Sequence, residues 1–341
     1  MSMFHDHPIR TLSDGEGDAT SIAPGAGIAA VRAGKQPLVT VLIVTYNHRR
    51  YITAAVESVL TQRTRFPVEI LISEDASTDG TRDIVTGYAD RHPERIRLLL
   101  SERNIRSNEV VARGLRQARG RYVALLDGDD FWCDPDKLQR QVDFLEDNPG
   151  CTAVFHNAWT TAGDAPSGER WTPGETAPRM DLQTLMEGNP YATCAGMLRA
   201  DCVRDVPQWY AGFFPITDWP LYALCALRGD LAFVDEVVGV YRLHAASEFS
   251  SQPTATRLDA VQGFYRRLAK CAPPPLAEAA RGGCSRYFFD WTEAYLAQGD
   301  LALARSCFRR SLLGGGLGRT VPRRAALRMG ARLLRRSIAR R

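Results

Sequence analysis

The sequence has 341 residues, of which 45% are hydrophobic and 24% charged, an ordinary balance for a soluble globular chain. Its 43 basic and 39 acidic residues leave a net charge of only +4, and that excess sits at the end of the chain: nine arginines and no acid follow from Arg319 onward. No apolar run reaches the roughly 18 residues of a membrane span, and no nucleic-acid partner is expected.

Residues 1–36 are rich in Gly, Ala, Asp and Ser and are expected to form a flexible leader. GAGIAA (25–30) fits a dinucleotide-binding pattern, but Pro24 precedes it and no strand feeds the turn, so it is read as a decoy. The leader lacks the apolar stretch of a signal peptide. The eight cysteines (133, 151, 194, 202, 225, 271, 284, 307) form no CxxC pair, which suits buried thiols in a reducing compartment. A cytoplasmic protein is expected.

From Val39 the pattern alternates. VTVLIVT (39–45), VEILIS (68–73), IRLLL (96–100) and YVALL (122–126) read as buried strands. Between them Ile52, Val56 and Val59, then Ile84, Val85 and Tyr88, then Val110, Val111 and Leu115, recur at helical spacing. Such alternation implies βαβ units and a mostly parallel sheet, with ligands bound beyond the carboxyl ends of the strands. DPDKLQRQVDFL starts a further helix, with Asp134 as its expected cap. CTAVFH (151–156) and VVGVYRL (237–243) read as strands, 160–178 as a loop, and 181–187 and the residues after Asp218 as helices. Residues 255–341 read as helical, with a hairpin turning at Gly299-Asp300.

Three polar clusters follow strands and should converge on one rim. DGDD places Asp127 and Asp129 on the same side of an extended segment, with Asp130 beside them. Like charges this close need a compensating cation. An all-oxygen set suits Mg2+ or Mn2+ held partly by substrate phosphates, although a capped acidic turn uses the same residues. Phe131 excludes an EF-hand. In SEDASTDGT, Ser77 or Thr78 can cap a helix with Asp79 in its first turn, which leaves Asp75 at the strand end, able to accept a hydrogen bond from the imide of a uracil or thymine ring. In TYNH, Tyr46 can stack on a base or simply pack.

PLVTVLIVTYNHRRYITAAVESVLTQ, ISEDASTDGTRDIV and RGRYVALLDGDDFWCDPDKLQRQVDFLEDNP, in this order, resemble the family-2 glycosyltransferases of the GT-A fold. The resemblance is specific over 37–160 and weaker to about 250. It implies a mostly parallel nucleotide-binding sheet flanked by helices over 37–250, with 251–341 as a helical appendage. It also implies a nucleotide-diphosphate sugar donor, most simply a UDP-sugar, and a glycan, lipid-linked or other hydroxyl acceptor in cell-surface polysaccharide or glycan assembly. By the same resemblance Asp75 and Tyr46 hold the base, Asp127 the ribose, and Asp129 the metal, which Asp130 shares. Asp218 in ITDWPLYALCAL, also a natural helix cap, is the expected general base for an inverting displacement, with His156 and Glu248 as reserves. Arg242 and His244 of YRLH are expected at the diphosphate and metal. The arginine that relatives carry before the fourth strand is displaced here to Arg113, with Arg103 and Arg106 as substitutes.

Two rival readings remain at this level. A nucleotidyltransferase would be expected to carry a Gly-rich phosphate loop after the first strand, and TYNHRR has no glycine. A non-catalytic sugar-nucleotide-binding module would not need the full acidic set. The arginine-rich end, interleaved with Leu327, Met329, Leu333, Leu334 and Ile338, has the make-up of a basic amphipathic helix able to lie on anionic lipid at the inner face of the membrane.

Overall fold

A computed structural model describes residues 36–162, 165–172, 176–245 and 247–338, so the expected leader and its GAGIAA motif lie outside the described residues. The first half runs β1 (Val39–Thr45), α1 (Ile52–Leu60), β2 (Val68–Glu74), α2 (Thr81–Arg91), β3 (Ile96–Leu100), α3 (Glu109–Gln117) and β4 (Tyr122–Asp127). β1 pairs in parallel with both β2 and β4, and β2 with β3. Connections therefore leave β1 and β4 in opposite directions, which opens a crevice at their carboxyl ends.

β1 is buried along almost its whole length because both of its faces are covered. Val39, Val41 and Ile43 meet α1 and α2 on one face, while Leu42 meets α3 on the other. The second half contains β5 (Phe131–Trp132), α4 (Lys137–Asp147), β6 (Cys151–Ala162), β7 (Ala165–Arg170), β8 (Arg179–Met180), α5 (Leu182–Glu187), β9 (Gly196–Arg199), α6 (Ala200–Val203), α7 (Trp219–Ala226) and β10 (Asp230–Leu243). The sheet continues from β4 through β9, β6 and β10 to β5. β6 and β10 are parallel, but β9 runs antiparallel to β4 and β6, and β5 to β10. The sheet is thus parallel in its first half and mixed in its second.

Local departures from the sequence reading have physical causes. The expected loop at 160–178 is partly a hairpin, since β6 runs on to Ala162 and pairs with β7. Asn157 lets the strand continue by giving its amide protons to Thr172 O (2.9 Å) and Asp235 Oδ1 (2.8 Å). β10 starts at Asp230 because a register shift at Val234–Val237 absorbs Asp235 and Glu236. α4 starts at Lys137, and Asp134 instead accepts the Asp136 N–H at 2.9 Å. α2 starts after Gly80, whose φ of 96° suits glycine, and Asp79 rather than Ser77 or Thr78 bonds the Thr81 N–H.

The chain ends in α8 (Thr254–Cys271), α9 (Pro274–Gln298), α10 (Leu301–Leu313) and α11 (Arg323–Ile338). The hairpin turns at left-handed Gly299, and Asp300 caps α10 through Leu303 N at 2.9 Å. These helices share a core with α5 and α7. Trp219 packs its ring 4.9 Å from that of Phe264, and the Tyr265 hydroxyl donates to Met186 O at 2.6 Å. All eight cysteines are free thiols, six of them buried. No described helix is long and apolar enough to cross a membrane.

Candidate active site

A cavity of about 730 Å3 lies where the carboxyl ends of β1, β2 and β4 meet the segment after β10. Six of the eight residues singled out in the sequence line it: Tyr46, Asp75, Asp127, Asp129, Asp218 and His244. Asp130 and Arg242 do not.

Asp75 continues the strand ladder by donating its N–H to Thr45 O at 3.0 Å. Its carboxylate accepts from Ser101 Oγ (2.8 Å) and from the Ile105 N–H, and is thereby fixed in orientation. The loop it organises brings Asn104 and Arg106 to the cavity wall. Arg113 turns elsewhere and ties strand ends together through Ser73 Oγ, Glu74 O and Leu99 O at 2.9–3.0 Å. Of the three arginines considered, Arg106 is the one on the wall. The loops after β1 and β2 are stapled to each other. Asn47 N–H donates to Ser77 Oγ (2.9 Å), Thr78 N–H to Asn47 Oδ1 (2.8 Å), and Arg49 N–H to Asp79 Oδ2 (2.9 Å).

The DGDD turn is held by Gly128 N–H donating to Val44 O (2.8 Å) and Asp130 N–H to Asp127 O (3.0 Å). Glycine is needed at 128 because a Cβ would fall 2.6 Å from Thr45 Oγ1 and 2.8 Å from His48 Nδ1. Asp129 Oδ2 lies 3.0 Å from His244 Nε2 and 3.6 Å from His48 Nε2. Burial works against ionisation of Asp129, but the two histidines outweigh it and hold its pKa below the usual carboxylate range. Asp127 has no such support. Burial, and then the charges of Asp129 and Asp218, push it up to about 8.

Asp130 lies off the cavity wall. The turn points it inward, 1% exposed, with Oδ1 accepting the Arg242 N–H at 2.8 Å and Oδ2 buried without a hydrogen-bond partner. Burial and its acidic neighbours raise its pKa well above the ordinary value. Arg242 also lies off the wall. Its guanidinium lies 4.4 Å over the Phe131 ring and donates to Asp129 O at 2.6 Å, bracing the turn from behind. His48 was missed in the sequence, where its only signal was its place in the cluster after β1. Tyr51, whose ring centroid is 4.7 Å from that of His244, carried no signal at all.

The donor set suits a hard divalent cation. Asp127 and Asp129 share one wall, and one of them is driven toward protonation for want of positive charge. Asp129 and His244 are the residues able to hold the ion. Among the described residues, no three acids, histidines or cysteines form a metal-binding cluster.

Asp218 caps α7 by accepting the Trp219 N–H at 2.7 Å through Oδ1, while Oδ2 accepts from Asn189 Nδ2 at 3.1 Å. Burial raises its pKa, which favours a proton acceptor over a permanently ionised carboxylate. His156 is excluded as an alternative, since it does not line the cavity, and burial holds it neutral with a pKa of about 3. Glu248 lies on the cavity wall but is exposed. Asn189 and Thr193, which hydrogen-bond Asp218, share the wall with an aromatic pair, Trp171 and Tyr241, whose centroids are 4.4 Å apart.

The family model described as Glycosyl transferase family 2 matches residues 40–203. An uncharacterized glycosyltransferase of Nostoc sp. is 30% identical over 231 residues, which cover 64% of this chain and 68% of the relative. The chain belongs to glycosyl transferase family 2. An uncharacterized protein of Mycobacterium tuberculosis is 35% identical over 219 residues, or 64% of this chain, and the match spans 62% of that relative's length. Among solved structures, residues 1–349 of Staphylococcus aureus TarS, in complex with UDP-GlcNAc, superpose with a TM-score of 0.58 at 17% identity, covering 87% of this chain and 88% of that TarS fragment. The family's GT-A architecture is thus the fold of this chain, with the C-terminal helices included in the superposed length.

Proposed function

We propose that this family-2 member transfers a sugar from a nucleotide-diphosphate sugar, most simply a UDP-sugar, to an acceptor hydroxyl with inversion at the anomeric carbon. The observation that carries the proposal is the sharing of one cavity by Asp75, Asp127, Asp129 and Asp218, with a UDP-GlcNAc complex known on the same fold.

In this reading Asp75 receives the imide N–H of the base, and Tyr46 lies against the ring. Asp127 bonds the ribose. Asp129 and His244 hold a divalent cation, which when bound supplies positive charge to the diphosphate leaving group. Arg106 approaches the donor from the loop after β3. Asp218 takes the proton from the acceptor hydroxyl as that oxygen attacks, a contribution of about 10²–10⁴-fold. Its cap bond and the Asn189 amide keep the carboxylate in place. Trp171 and Tyr241, in the same cavity as Asp218, offer an apolar plate for a sugar ring, which favours a glycan or glycolipid acceptor. Cell-surface polysaccharide assembly is the setting that the family membership suggests.

The deciding experiment is a panel of nucleotide sugars tested for thermal stabilisation with Mn2+, followed by an assay for nucleoside diphosphate release. A ligand at about 100 times its dissociation constant adds roughly 2.7 kcal/mol, so the matching donor should stand out. Stabilisation by no nucleotide sugar, with or without the cation, would reject the proposal.

A further inference from the structure

Helix α11 has two apolar faces, and the body of the protein covers one. Ala326, Met329 and Leu333 are buried in the common core. Leu327, Leu334 and Ile338 form a second line, 74%, 64% and 67% exposed. At about 100° per residue the two lines lie roughly 130° apart around the helix. Arg324, Arg328 and Arg335 border the outer line on its far side. Leu312 and Leu313 at the end of α10 and Leu317 in the next loop are exposed as well. Of the eight large apolar residues exposed among the described residues, six fall between 312 and 338. Beside Leu317, a hollow of about 580 Å3 is walled by Arg319, Arg323 and Arg324.

Concentrated exposed leucines mark an interaction surface rather than ordinary surface scatter. The charge around them selects the partner, because residues 319–341 contain nine arginines and no acid. A polynucleotide would satisfy the arginines but leave the leucines in water. An anionic bilayer satisfies both, with phosphates for the guanidinium groups and hydrocarbon for the leucines. We propose that α11, with the end of α10, docks this protein on an anionic lipid surface, the helix lying in the membrane plane with one face on the protein body and the other in the lipid.

The test is co-sedimentation of the full chain with phosphatidylcholine vesicles, with and without phosphatidylglycerol, at low and high salt. Wild type should partition onto the phosphatidylglycerol vesicles and be released by salt. The combined variant Leu327→Ser, Leu334→Ser, Ile338→Ser should lose at least about tenfold in partitioning. Its thermal midpoint should not change, because these side chains are exposed. If that midpoint drops, the pair Arg324→Gln, Arg328→Gln decides instead, with an expected loss of about thirtyfold. Failure of wild type to bind at low salt would overturn the proposal, as would unaltered binding by the deciding variant. Binding of a single-stranded RNA probe that is tighter than lipid binding and indifferent to the serine substitutions would also overturn it.

Discussion

Nε2 of His244 lies 3.0 Å from Oδ2 of Asp129, across 115 residues of chain. The contact joins the end of β10 to the DGDD turn, so the last strand of the sheet completes the wall that the fourth began. Asp129→Asn keeps the shape of the turn but removes the charge. Sugar transfer should fall below detection, and Mn2+-dependent stabilisation by the nucleotide should disappear. Chelator-treated wild type should be equally inactive and should recover with Mn2+. Full activity after chelation would remove the cation from the mechanism.

Asp218→Asn separates chemistry from binding. The amide oxygen can still accept the Trp219 N–H, so the cap on α7 persists. Donor affinity and thermal midpoint should stay near wild type, while turnover at saturating acceptor drops by about two to four orders of magnitude. Turnover within a few-fold of wild type would return Asp218 to a purely structural role.

Trp171→Ala addresses the acceptor side. Loss of one aromatic contact corresponds to about a tenfold rise in acceptor KM, with donor affinity unchanged because Asp75 and Tyr46 are untouched. An equal loss in donor affinity would place Trp171 on the nucleotide instead.

Lys137 is a stability probe remote from the chemistry. Fully buried, it donates to Gln141 Oε1 at 2.7 Å and lies 4.1 Å over the Trp132 ring. Burial holds its pKa down to about 7, against 10.5 for the free side chain. Between those values the unfolded chain binds more protons, so this site costs stability progressively as pH falls from 10.5 to 7, and the full cost remains below 7. Lys137→Met removes that proton linkage. Its thermal midpoint relative to wild type should therefore rise as pH is lowered from 10 to 7, then level off. A difference independent of pH would show that Lys137 is not the titrating group. His156, held down to a pKa of about 3 by burial and then by the Lys137 charge, adds a loss of stability below about pH 6.5 that Lys137→Met should lessen, so the comparison is read above that pH.

The first half of the fold was legible because buried parallel strands are short apolar runs and each ends in a polar cluster. Asp75 stood out because helix capping leaves a carboxylate just past its strand unexplained, and Asp127 because the like charges of DGDD are so close. Asp218 came only through the family resemblance, since a helix cap has a structural reason to be there. Asp130 and Arg242 do not line the cavity, and residue identity does not encode which way a turn points. That direction depends on Gly128 fitting against Thr45 and His48, a contact between distant segments. The length of β6 was hidden for a similar reason. Asn157 reads as a strand breaker until its partners at Thr172 and Asp235 are known. The inward and outward lines of α11 differ only in what lies against them, and no local pattern distinguishes the two.

The hydrogen bonds tying Asn47 to Ser77 and Thr78, and Arg49 to Asp79, make the two loops that carry Tyr46 and Asp75 a single rigid piece. On the proposed reading, the grip on the base then belongs to both loops as one unit. A substitution at Asp79 should weaken nucleotide binding although its side chain bonds only Arg49 and Thr81.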